Sequence, residues 1–354
     1  MTLTGSVALA LLRAGQVAAL LVLVGSFAFA AVVLGRTSAP EIRRTLRRME
    51  ILAAALALGC GAVWFLAETA RLGDATDLGQ VIAAVPAMLA YLGFARWLLA
   101  RLGLLVLILA GLAVGSAEGS RSWRFAVLFA LADAALGVQP WLGHAGAAGG
   151  LAGQVLPGAE LIHLAGAALW LGGLPALLVV LHRAQDAETR QALRRFSAIS
   201  LGAVGAIAVG GVVQGWLLVG GVARLSGTGY GQAVLLKTAL FAAALALAGV
   251  NRLVLTRRME GAGAVAAHAM ATCARLRGSV AIEAGLGLAI VLTAGWLSGL
   301  PPGADQIATA RFWPWLPGGL IVVLAIAGAL WFARPVTPSR VQATGVAHDR
   351  PPAC

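Results

Sequence analysis

Charge is scarce in this chain. Only 11% of its 354 residues are Asp, Glu, Lys or Arg, against about 25% in soluble domains. Lysine is almost missing: Lys237 stands alone among 26 basic residues. No Gly-x-x-x-x-Gly-Lys-[Ser/Thr] loop occurs, so nothing in these residues reads as an ATP-hydrolysing domain. The three cysteines form no Cys-x-x-Cys pair, and Cys60 reads as a small thiol within an apolar run. Methionines number five, and besides the initiator only Met88 falls in an outer segment. These shortages exclude a soluble domain, a disordered chain and a nucleic-acid-binding surface.

What is abundant is apolar sequence, at 60% of residues with a mean hydropathy of +0.89. A membrane-crossing helix needs about 20 such residues. The runs predict about nine: Val7–Leu34, Glu50–Leu72, Phe94–Val114, Trp123–Trp141, Glu160–Leu181, Ala198–Val219, Gln232–Leu255, Ser279–Leu300 and Pro314–Phe332. Helices satisfy their own backbone polar groups in lipid, so the fold class is an all-α polytopic membrane bundle. Nineteen arginines fall in alternate connections and the C-terminal tail, and only Arg71, Arg224 and Arg311 in the others. By the positive-inside rule the N-terminus lies outside and the C-terminus inside. The first span reads as a retained helix, because it lacks a basic n-region and a suitably placed small-residue cleavage site.

Two connections carry their own helical signals. Ser38-Ala39-Pro40-Glu41 resembles a capping box. Behind it Ile42, Leu46 and Met49 share a face, which predicts a short cytoplasmic surface helix resting on lipid headgroups. On the outer side Asp77 is positioned to cap a helix over Leu78–Tyr91, too short to span and interrupted by Pro86.

Ionisable groups inside a membrane are costly, so each is a candidate for ion pairing or for function. Most lie toward the outer side: Glu68 in the second span, Asp133 in the fourth, Glu160 and His163 opening the fifth, and Lys237 in the seventh. Asn251 and Glu283 lie toward the inner side. This lopsidedness predicts an outward-facing polar vestibule, with Glu68 paired to an arginine of the third span as one alternative role. Among five histidines, His144 on an outer loop and His163 one turn into the fifth span fall on the same side. Neutral imidazole is a common ligand for copper, zinc and nickel. His163 and His144 are therefore the candidate metal ligands, with Met88 as a third. His182, about 28 Å along the same run, reads as an interfacial residue. His163, Gly166, Ala167 and Trp170 share one helix face whose small residues admit a close neighbour. Trp170 reads as core on that face.

The stretch His163…Trp170-Leu171-Gly172-Gly173-Leu174 closely resembles the copper-resistance protein D family, CopD/PcoD, of bacterial inner-membrane proteins. The likeness continues in order through Arg195-Phe196-Ser197, Tyr230-Gly231, Leu235-Leu236-Lys237, Asn251-Arg252, Glu283 and Leu300-Pro301-Pro302, and His144 fits as well. It covers about residues 140–302. The resemblance implies a copper ion as the species bound or carried, transport rather than catalysis, and a periplasmic copper-binding CopC-like protein as partner beside membrane lipid. The organisation expected is residues 1–139 as helices one to four with the two surface helices, 140–302 as a CopD-like core of helices five to eight, 303–333 as a ninth crossing, and 334–354 as a cytoplasmic tail.

Three functions compete at this stage. The first is copper uptake through the vestibule. The second is a cytochrome b-like haem protein, which would want two axial histidines facing each other across helices. Only His163 and His182 fall within spans, far apart on the same one, so no haem is expected. The third is a partner that docks a periplasmic copper protein without moving metal.

Overall fold

The computed structural model describes residues 3–34, 39–114, 122–184, 186–256 and 266–305. In chain order the helices are α1 (Leu3–Val32), α2 (Pro40–Leu72), α3 (Leu78–Tyr91), α4 (Gly93–Val114), α5 (Ser122–Gly137), α6 (His144–Ala147), α7 (Gly150–Trp170), α8 (Leu174–Arg183), α9 (Asp186–Val219), α10 (Val222–Gly227), α11 (Gly229–Val250) and α12 (Ala266–Leu297). A 3₁₀ turn at Gln139–Leu142 precedes α6, and a π-helical turn at Asn251–Thr256 follows α11. Among the described residues there is no strand, and eight helical stretches are long and apolar enough to cross a bilayer. The chain is an all-α polytopic membrane bundle. The expected ninth crossing at Pro314–Phe332 and the tail lie outside the described residues.

The bundle is built around α1 and the paired α7–α8. Within the Gly150–Arg183 stretch 67% of the most apolar window is buried, against 22 to 44% for the other spans. Helix α1 packs against α2, α5, α7, α8 and α12. Its Leu20, Leu23 and Phe27 are almost wholly enclosed. Small residues set these distances. A Cβ on Gly172 would lie 1.9 Å from the Leu21 carbonyl oxygen of α1, and one on Gly25 would lie 2.3 Å from the Gly172 carbonyl carbon. A Cβ on Gly166 would meet the Ala203 carbonyl oxygen of α9 at 2.5 Å. Association in lipid depends on such close packing, because water no longer drives apolar surfaces together.

Three departures from expectation have physical causes. The predicted cytoplasmic surface helix is the first part of a continuous 33-residue α2. Ile42 and Leu46, 0% and 2% exposed, pack into the bundle core rather than onto lipid. The described cap is Ala39, which makes no side-chain capping bond. The expected fifth span is longer and broken: α7 starts at Gly150, and the chain leaves helical register between Trp170 and Leu174 to pass α1. Helices α9 and α12 run well beyond their apolar segments, because hydropathy marks where a helix meets lipid and not where its hydrogen bonding stops. By contrast α3 has the expected bounds, and the Asp77 carboxylate accepts from the Gln80 amide at 2.9 Å.

Candidate metal vestibule

At the end of the bundle opposite the arginine-rich connections, a cavity of about 140 Å³ lies between α1, α6, α7, α9, α11 and α12. Its polar lining includes His144, Glu160, His163, Gln214, Tyr230 and Lys237. Four of the polar residues expected on one side, His144, Glu160, His163 and Lys237, thus share one space. His163 is brought there by α7 lying tightly on α9. A Cβ on Gly210 would lie 2.4 Å from the Ala159 carbonyl oxygen, and Gly211 leaves ordinary contact distance, 3.5 Å, to the His163 ring.

His163 Nδ1 bonds the Ile207 carbonyl of α9 at 2.8 Å. A carbonyl only accepts, so Nδ1 carries the hydrogen, and in the neutral ring Nε2 then keeps its lone pair. This is the arrangement by which a backbone carbonyl orients a metal-binding imidazole. A ligand role at Nε2 would therefore be compatible with the interhelical hydrogen bond at Nδ1.

His144 opens α6 beyond the 3₁₀ turn, its ring edge-on to Tyr230 with centroids 6.0 Å apart. Tyr230 is held at the start of α11, where the Thr228 hydroxyl caps the helix by accepting from the Gly231 amide at 3.0 Å. Glu160 sits one turn before His163 and interacts electrostatically with Lys237 and Arg101. Arg101 is 0% exposed; its Nη1 donates to Gln139 at 2.9 Å and Gln16 at 3.2 Å. A buried guanidinium next to a carboxylate keeps part of the acid's charge compensated in a region of low dielectric.

Other expected residues stand apart. Met88, 5% exposed, packs in a separate apolar cluster with Trp64, Phe65 and Leu98 and does not line the cavity. Asp133 is exposed on α5 and does not line it either. Glu68 pairs not with the third span but with Arg13 of α1 at 3.7 Å and with Arg71 on its own helix at 2.5 Å. The buried arginine of the third span, Arg101, turns to Gln16 and Gln139 instead. Among the described residues no three His, Cys, Asp or Glu side chains gather as a ready-made metal cluster.

Trp170, Glu283 and Asn251 form a second polar assembly, two turns further along α7. Trp170 Nε1 donates to Glu283 Oε1 at 2.7 Å, and Asn251 Nδ2 donates to Glu283 Oε2 at 2.9 Å. They line a mainly apolar cavity of about 290 Å³ at the arginine-rich end, with Ser197, Ser200 and Arg252. Trp170 is core, as expected, and also a hydrogen-bond donor to a buried carboxylate. Glu283→Ala is expected to destabilise the purified protein by about 2–4 kcal/mol, because it removes the acceptor of two buried hydrogen bonds. Glu283→Gln, which keeps an acceptor, should recover about half. Thermal unfolding in detergent checks both, and equal midpoints for the alanine variant and the parent would refute the network's structural role.

Sequence reasoning passed over Gln214 and Tyr230 as lining residues. Tyr230 is one of only two tyrosines in the chain, a signal that was available. Gln214 lies inside the Gly211-x-x-x-Gly215 spacing, which draws attention to packing instead.

Two family models match the chain. "Copper resistance protein D-like, N-terminal domain" matches residues 3–154, and "Copper resistance protein D" matches residues 190–297. The likeness therefore reaches the first four spans, beyond the 140–302 region in which the motifs are visible by eye. A curated relative, the copper transport protein CutJ of Bacillus subtilis (strain 168), is 32% identical over 146 residues, which are 40% of this chain and 25% of that protein. The chain therefore spans about a quarter of that relative's length. No solved structure matches the chain. Helical bundle, ordered motifs and both matched regions agree: the chain belongs to the copper-resistance protein D family.

Proposed function

We propose that this protein carries copper inward across the bacterial inner membrane, and that the vestibule is where copper enters from the periplasm. The observation that carries the reading is His163, anchored through Nδ1 to Ile207 and lining the cavity it shares with His144 and Glu160; in the proposed site its Nε2 takes the metal. Imidazole nitrogen, from His163 and then His144, suits Cu(II) better than the softer Cu(I). Glu160 offsets the ammonium of Lys237 and so limits the repulsion an arriving cation meets. With the arginine-rich end in the cytoplasm, the membrane potential favours cation entry by about 2.3 kcal/mol per charge per 100 mV, and no nucleotide is needed.

The family's role in copper handling and the printed name of the relative support this assignment. A CopC-like periplasmic protein is the proposed donor at the vestibule. The test is cell-associated copper in copper-replete medium, with and without expression of the protein. The expected result is a rise on expression. An unchanged copper content with the protein present in the membrane would reject uptake.

A further inference from the structure

A third cavity, about 230 Å³, lies at the arginine-rich end between α1, α2, α4 and α5, away from both assemblies described above. Three guanidinium groups line it: Arg43 and Arg47, one turn apart on α2, and Arg124 at the start of α5. Arg47 donates to the Leu112 carbonyl of α4, which fixes its position. Arg124 makes no hydrogen bond or ion pair among the described residues. The remaining wall is apolar: Phe27, Leu46, Phe125 and Leu128. The Phe27 and Phe125 rings pack edge to face at 5.5 Å, and Gly111 leaves the room that Leu128 occupies. Among the described lining residues one acid is present. Glu50, 6% exposed, accepts from the Ser26 hydroxyl at 3.1 Å and interacts with Arg47, and the described lining stays net positive.

We propose that this cavity binds the headgroup phosphate of an anionic phospholipid, with the start of an acyl chain against its apolar wall. Guanidinium is the side chain best matched to phosphate oxygens. Basic pockets between membrane helices at the cytoplasmic side suit such lipids. The apolar spans α1, α2, α4 and α5 all reach their boundary at this end, so the three arginines stand at headgroup depth. Free phosphate would use the arginines and leave the apolar wall uncovered; a lipid uses both. A transported cation has no use for three arginines, so the site is separate from the copper route. Arg43 and Arg47 sit in the segment whose apolar face is buried in the bundle. They serve a cavity there and not a helix lying on the membrane.

The test is thermal unfolding of the full chain in neutral detergent, titrated with dioleoylphosphatidylglycerol, dioleoylphosphatidylcholine or sodium phosphate. Phosphatidylglycerol is expected to raise the unfolding midpoint saturably, with no comparable effect from the other two. Arg124→Gln should leave the lipid-free midpoint unchanged and shift the half-maximal lipid concentration up by about tenfold. Adding Arg43→Gln should abolish the response. Native mass spectrometry should show one retained phosphatidylglycerol in the parent and none in the double variant. Equal stabilisation by phosphate or by phosphatidylcholine would overturn the assignment, and so would a phosphatidylglycerol response that survives both substitutions.

Discussion

If the proposed uptake holds, His163→Ala is expected to remove the copper accumulation it predicts on expression, with the variant still present in the membrane. The ring contributes one hydrogen bond across the α7–α9 contact, from Nδ1 to the Ile207 carbonyl at 2.8 Å. Losing a bond of that kind costs about 1 kcal/mol. The rest of that interface rests on close backbone packing at Gly166 and Gly210, which the substitution leaves intact. Folding should survive, then, while the cavity loses its best-oriented ligand. Loss of a residue that merely orients a ligand weakens metal sites by about 10- to 100-fold, so loss of the ligand itself should weaken copper binding by at least about 100-fold. His144→Ala should have a smaller effect, since it opens the four-residue α6 rather than sitting within a long packed helix. His182→Ala is the control. That ring lies exposed on α8, bonded to the Leu178 carbonyl of its own helix at 2.7 Å, and lines no part of the vestibule. Copper per cell, normalised to membrane protein, reads all three. Accumulation unchanged in His163→Ala would remove the vestibule from the transport route.

The second large effect concerns the fold. Gly172→Val is expected to prevent stable assembly. Even the first carbon of any side chain there would fall 1.9 Å from the Leu21 carbonyl oxygen and 2.6 Å from the Leu21 carbonyl carbon. Those are backbone atoms of the central helix, which no side-chain rotation can move aside. Overpacking a core ordinarily costs about 1–3 kcal/mol, and here α1 would have to separate from α7–α8, so about 3 kcal/mol or more is expected. The contrast is Gly59→Ala on α2, where nothing lies within 4 Å of the new carbon. That change should be neutral or stabilise by about 0.5–1 kcal/mol through helix propensity. Size-exclusion profiles and unfolding midpoints of the two variants distinguish the cases. A well-folded Gly172→Val protein would show that the close approach of α1 is not required.

The same glycine shows what a sequence conveys and what it hides. Trp170-Leu171-Gly172-Gly173-Leu174 is visible as a motif, and small residues on the His163 face do signal a close neighbour. Nothing in the string says that Gly172 meets α1 while Gly166 meets α9, because the partner is chosen by the packing of the whole bundle. Arg101 is a parallel case. Its cost in the membrane was legible, and so was Glu68 as a partner in need of a cation. The pairing is otherwise: Glu68 goes to Arg13 and Arg71, and Arg101 goes to two glutamines. Residues within a span have known spacing along the helix and unknown rotation about it.

Met88 and Asp133 lie outside the vestibule for that reason, and the helix at Ile42 lies in the bundle for a related one. An amphipathic stretch has an apolar face whether it lies on lipid or against protein. Only the position of the neighbouring helices separates the two.

By itself the sequence determined the class of the molecule, the eight described helices apolar enough to cross a bilayer, the helix capped by Asp77, and the family. Hydropathy, capping chemistry and ordered motifs are local, and locality is what a linear string preserves. The tertiary structure decided that His144, Glu160, His163 and Lys237 share one cavity while Met88 and Asp133 do not. It also decided that Trp170, Asn251 and Glu283 form one network, and that three arginines surround another space. These are contacts between residues distant in the chain, set by helix rotation, by the break at Gly172 and by the glycines that allow backbones to touch.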